Sequence, residues 1–137
     1  MPLWRRLYNT VWLAFFCCVL IPRWMGAYVG LPLHAVLGAM MLVLTRSNAK
    51  RLRALSVPER LKRISKVTAG FALFQLIAGL CLGGVMHLAP KLPFVSSVLL
   101  GAHVVAALTI LAQASSVATA YDIWEEKEFE TAPSAND

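Results

Sequence analysis

Two histidines, His34 and His103, sit in separate apolar runs, each long enough to cross a bilayer. Hydrocarbon penalises a polar ring, so an imidazole at that position is a candidate functional site by default. Each lies nine residues past the outer edge of its run, Met25 and Phe94 respectively. At 1.5 Å per helical residue both rings therefore reach roughly 13 Å into a hydrocarbon core of about 30 Å. Two imidazoles at one depth on two helices are what a bis-histidine heme b requires, one axial ligand from each. Gly30 and Gly38 lie one turn either side of His34, and Ala106 and Ala107 one turn from His103. Such small residues leave room for a flat macrocycle; they equally permit close helix packing, as does the Gly79/Gly83 pair. Arg23 and Lys91 are the cations expected on the outer side. Either could pair with a heme propionate, although each taken alone also reads as an ordinary loop charge.

The elements that must position these residues are helices. Apolar runs at about residues 8–21, 25–45, 67–89 and 94–121 predict an all-α, integral membrane four-helix bundle in one domain, residues 1–124. A basic loop (46–66) separates the middle runs, and an acidic, polar tail (125–137) follows. Trp4 and Tyr8 suit the membrane interface. Gly30 and Pro32 are expected to kink or unwind the start of the second helix. Ser56-Val-Pro-Glu59 reads as a capping box opening a helix that continues into the third run, and a short surface helix is expected over 49–55. Arg5 and Arg6 before an apolar run mimic a signal peptide, but the small-x-small pattern is absent and the segment reads as a retained span.

Composition excludes much else. The 137 residues are 58% hydrophobic and only 15% charged, with mean hydropathy +0.65, which leaves no room for a soluble catalytic domain beside four spans. Eight of the thirteen Lys/Arg fall between Arg46 and Lys66. The positive-inside rule accounts for that cluster, puts both termini in the cytoplasm, and removes the need for a nucleic-acid partner. Cys17, Cys18 and Cys81 have neither CxxC nor CxxCH spacing, so zinc and covalent heme attachment are disfavoured and packing is the plain reading. No Asp or Glu lies within a predicted span, which argues against a proton pump or cation carrier. No nucleophile–base pair stands out.

Other polar residues have modest readings. His87, at the outer end of the third run, suits a hydrated interface. Gln75 is placed to hydrogen-bond across helices. Thr109, Gln113, Ser115, Ser116 and Thr119 form a polar face satisfied by back-bonding or interhelical contacts.

The segment Phe74-Gln75-Leu-Ile-Ala-Gly79-Leu-Cys-Leu-Gly-Gly, followed after a short turn by Gly101-Ala-His103-Val-Val-Ala-Ala, resembles the second helical pair of one half of the heme A synthase family. Leu33-His34-Ala-Val-Leu-Gly38 resembles the family's earlier histidine-bearing helix. The likeness spans about residues 25–115 and implies heme ligation by His34 and His103. Two family features are missing: the glutamate near the first outer loop and the outer-loop cysteine pair. Their absence counts against heme A synthesis while leaving heme binding. Small b-type cytochromes share the same general layout.

The expectation is a b-type cytochrome-like protein of the bacterial or archaeal cytoplasmic membrane. It would hold heme b between His34 and His103 near the outer face and transfer single electrons, with a quinone or redox protein as partner. Two alternatives stay open: a cofactor-free structural or assembly subunit of a larger membrane complex, and a heme-modifying enzyme.

Overall fold

A computed structural model describes residues 1–20, 27–88 and 92–131; at 19, 20, 27–31, 87, 88 and 131 it describes the backbone only. These residues form four helices and no strand. Helix α1 (Leu3–Phe15) continues as one π turn over Phe16–Leu20; α2 is Ala27–Arg53, α3 is Glu59–Leu88 and α4 is Pro93–Thr131. Each chain neighbour packs on the next and α1 closes the ring against α4. Residues 7, 52, 61 and 121 share one apolar cluster and residues 14, 41, 72 and 110 another, so every adjacent pair of helices is antiparallel. The bundle is thus up-down-up-down, with α2 and α4 on one diagonal.

Helical periodicity sets the inward faces. Leu7, Thr10 and Ala14 are buried on α1. Met41, Thr45, Asn48, Ala49 and Leu52 are buried on α2, and Leu61, Ser65, Thr68, Ala72 and Ala78 on α3. On α4 the buried positions are Ala106, Ile110, Ala114, Val117, Ala118 and Tyr121. These positions recur every three or four residues, so they stack along one side of each helix. Many are alanine or hydroxyl residues, which let the backbones approach closely.

The bulky apolar residues point the other way. Val36 and Val43 on α2, Ile77 and Leu80 on α3, and Val105 and Leu108 on α4 are all exposed. Helices α3 and α4 contain segments, Glu59–Met86 and Pro93–Glu130, long and apolar enough to cross a membrane. Only 11% of the most apolar window of each is buried. The core helix of a water-soluble protein would bury most of such a stretch instead.

Along the bundle axis the inward residues sort into layers. The cluster Leu7, Leu52, Val57, Leu61, Val117, Ala118 and Tyr121 seals the end that carries the α2–α3 connection. Above it lies a polar layer of Thr10, Thr45, Asn48, Ser65, Thr68 and Gln113. A second apolar layer follows, Ala14, Met41, Ala72 and Ile110. Beyond that sit the two histidines.

Several local expectations are corrected. Residues 49–53 are the last turn of α2 rather than part of a separate surface helix; Leu52 is fully buried and anchors them to the core. Helix α3 opens at Glu59, and the Pro58 carbonyl accepts the Leu61 and Lys62 amides at 2.9 and 3.3 Å. Pro58 is therefore the N-cap, and Glu59 pairs forward with Lys62 at 2.8 Å instead of closing a capping box with Ser56. Pro32 lies inside α2 without interrupting it. The acidic run is no loose tail: α4 carries it as helix to Thr131, held at its root by Trp124 against the apolar cluster and by Tyr121 donating to Glu125 at 3.2 Å.

Candidate functional site

His34 on α2 and His103 on α4 stand on diagonal helices, yet their rings meet in the middle of the bundle. The ring centroids are 5.8 Å apart and the planes are inclined by 54°. Two imidazoles that bind one metal through a nitrogen each, at about 2.0–2.1 Å, have centroids roughly 6 Å apart. The observed separation is close to that value and is equally ordinary for two rings in direct contact, whose centroids lie about 4.5–7 Å apart.

Helix α3 supports the pair from the side. Its Gly79 has no side chain, and His103 occupies the space: a Cβ built there would stand 2.9 Å from Cε1 and 3.4 Å from Nδ1. Gly79 thus forms a notch filled by the His103 ring, which a Cβ would displace. Gln75, one turn earlier on α3, lies on the same helical face as Gly79. On the other flank Gly38 of α2 takes the Leu76 side chain at 3.8 Å. Farther out, at Gly83, Gly84 and Gly101, a Cβ would meet nothing within 4 Å.

The polar atoms of this layer are not satisfied. Nδ1 of His34, Nδ1 of His103 and Oε1 of Gln75 are all buried and lack a hydrogen-bond partner among the described residues. Buried polar groups in folded proteins nearly always have a partner, and Asn48 Oδ1 and Arg6 Nε in the neighbouring polar layer lack one as well, so orphaned atoms do not single out the histidine layer.

The inner polar layer behaves differently. Asn48 Nδ2 donates to Thr10 Oγ1 at 2.8 Å, and Thr10 donates to the Arg6 carbonyl at 2.8 Å. Thr68 donates to Gln113 Oε1 at 2.9 Å, and Thr45 to the Met41 carbonyl at 2.9 Å. At its rim Arg6 donates to Ser47 at 2.7 Å. A cavity of about 20 Å³ lies beside Thr10, Asn48 and Ser65, which suits one water molecule. Within this layer the side-chain bonds tie α1 to α2 and α3 to α4.

Of the residues singled out in the sequence, His34 and His103 come together. Arg23 and Lys91 lie outside the described residues, as does the His87 side chain. Thr109 and Ser116 bond back to Val105 and Ala112 of their own helix. The three cysteines are free thiols. Sequence reading treated Gly79 as generic packing and Gln75 as a generic hydrogen-bonder. Their spacing of four residues placed them on one face, but nothing in the chain aimed that face at His103.

Among the described residues no group of three or more His, Cys, Asp or Glu side chains converges as a metal-holding cluster. The site therefore offers two nitrogens, the number an axially ligated heme takes, rather than the four ligands of a structural zinc. No family model matches the chain, and no curated protein or solved structure matches it either.

Proposed function

We propose that this chain is a membrane-embedded b-type cytochrome, with His34 and His103 as the axial ligands of one heme b near the outer face. The observation that carries the reading is the pair of neighbouring imidazoles, with ring centroids 5.8 Å apart and each with an orphaned Nδ1. The spacing is compatible with a single iron between the rings. The outward belt of apolar side chains supports insertion of the whole bundle in a bilayer. The basic α2–α3 connection supports cytoplasmic termini.

Bis-histidine heme supplies reversible one-electron chemistry at an iron with both axial positions filled. The protein's own residues do the rest. His34 and His103 would supply the ligating nitrogens, and the Ala14, Met41, Ala72 and Ile110 layer shields the site from the inner end. Arg23 and Lys91, by sequence the outer cations, are proposed to pair with the propionates. The electron partner is proposed to be a quinone or an outer redox protein. The cytoplasmic membrane of a bacterium or archaeon is the proposed location.

A second reading has one observation in its favour. The two rings pack directly against each other and His103 fills the Gly79 notch, so a cofactor-free subunit of a larger membrane complex would also use them as interhelical contacts. Reduced-minus-oxidised visible spectra separate the two. A sharp b-type band in the purified protein, lost in both His34→Ala and His103→Ala, is the expected result. Absence of the band from a folded, heme-supplemented preparation overturns the cytochrome reading and leaves the structural one.

A further inference from the structure

We propose that the outer edge between α2 and α3 binds an anionic phospholipid: Arg46, Lys50 and Lys66 hold its phosphate, and the apolar groove beyond them holds its acyl chains. The inference rests on the bilayer part of the reading above and is independent of heme.

Both helices change character at one level. Exposed side chains on α2 are apolar at Val36, Met40 and Val43 and cationic from Arg46 onward. On α3 they are apolar at Leu80, Ile77 and Leu73 and turn cationic at Lys66. Met41 shares a layer with Ala72, and Leu52 shares one with Leu61. Five residues past Met41 therefore bring Arg46 level with residue 67 on the antiparallel α3, one residue or about 1.5 Å from Lys66.

Contacts settle which edge this is. Gly38 of α2 takes Leu76 of α3 at 3.8 Å. Leu42, Arg46, Lys50 and Arg53 follow Gly38 at helical spacing, as Leu73, Ala69, Lys66 and Lys62 lead back from Leu76. The cations thus rim the end of one groove, the end that carries the α2–α3 connection. Ala35 and Ala39, both exposed, keep the α2 wall low, so a chain can lie against Leu73 and Leu80.

The charge on this edge is uncompensated. Among the described residues of the two helices only Lys62 has a carboxylate partner, Glu59 at 2.8 Å. Arg46, Lys50, Arg53 and Lys66 are exposed and have none. A phosphodiester with two acyl chains matches both halves, negative charge for the cations and hydrocarbon for the groove, in the order a leaflet presents them. Nucleic acid would leave Val43 and Leu73 bare. A second copy at the same height would bring no carboxylate to the cations. Ile110 shares the Met41 layer, so Asp122, the first acidic residue of α4, stands seven residues or about 10 Å beyond the level of Arg46, where Tyr8 already bonds it.

The test is native mass spectrometry of the full-length protein in detergent, titrated with phosphatidylglycerol or phosphatidylcholine of identical chains. Wild type is expected to bind the first phosphatidylglycerol at least about tenfold more tightly, and Arg46→Gln/Lys66→Gln to lose that margin, since each basic residue at an anionic surface is worth about fivefold. The matched control is Arg5→Gln/Arg51→Gln, which removes two exposed cations from the same end. Arg51, one turn from the Ser47 that bonds Arg6, lies on the α1 edge of α2, so this variant should keep the preference.

Equal affinity for the two lipids in wild type, or equal loss in both double variants, overturns the site and leaves diffuse attraction to a basic end. Displacement of the lipid by equimolar glycerol phosphate or by a short DNA duplex also overturns it, because neither has acyl chains to fill the groove. Flotation of reconstituted vesicles in alkaline carbonate separates this failure from that of the bilayer reading. A chain that stays with the vesicles but binds both headgroups alike fails at the site alone. A chain stripped from them overturns insertion and site together.

Discussion

The bundle holds two polar layers, separated by the apolar layer of Ala14, Met41, Ala72 and Ile110, and they are built on opposite plans. The inner one, Thr10, Thr45, Asn48, Thr68 and Gln113, is knitted by short side-chain bonds between helices and back to helical carbonyls. The outer one, His34, Gln75 and His103, places its groups close together and leaves three of their polar atoms without partners. In a low-dielectric interior a satisfied network fixes helix register, whereas an unsatisfied one is costly unless something completes it. Asn48 Oδ1 and Arg6 Nε are orphaned in the inner layer too, so the contrast is that the inner layer makes side-chain bonds from helix to helix and the outer one makes none among the described residues.

That contrast can be broken most sharply at the histidines. Replacing either His34 or His103 by alanine should abolish heme binding, measured by spectral titration, while leaving helical content by circular dichroism unchanged. Next in size is Gly79→Ala. Its new Cβ would stand 2.9 Å from Cε1 of His103, too close without displacement of the ring, so heme affinity should fall by at least about tenfold, or roughly 1.4 kcal/mol.

Changes in the inner layer should do the reverse. Thr68→Val strands Oε1 of Gln113 and should lower stability by about 0.6–2 kcal/mol, the range for a hydrogen bond lost between membrane helices. Denaturant titration in detergent reads that loss, and the heme band should be untouched. A Thr68→Val variant that loses heme without losing stability would erase the distinction between the layers.

The smallest effect is expected at Gly70, where a Cβ meets nothing within 4 Å. Gly70→Ala should leave heme affinity unchanged and stabilise α3 by up to about 1 kcal/mol through helix propensity alone. It is the matched control for Gly79→Ala, since both are glycine-to-alanine changes on one helix.

Apolar runs and their 3.6-residue periodicity made much of this molecule readable from the chain. They determined that it is all-helical, that α3 and α4 are long and apolar enough to cross a membrane, and that His34 and His103 share a depth. Each of these depends on distance along a helix, which residue number measures directly. The ends of helices were less legible: Leu52 and Trp124 hold α2 and α4 together beyond the apolar runs by burying against other helices, so packing overrode the change in composition.

Rotation about the helix axes, and the order of helices around the ring, belong to tertiary structure alone. Nothing in the run containing His103 states that α2 and α4 are diagonal, that their imidazoles meet 5.8 Å apart, or that Gly79 is the one glycine on α3 filled by a histidine ring. Likewise Gln113 and Gln75 are the same residue type in similar runs, one accepting a bond across the bundle from Thr68 and the other with a buried Oε1 that has no partner among the described residues. Composition sets what a side chain can do. Which of its options is used depends on the neighbours that close packing brings within about 3 Å.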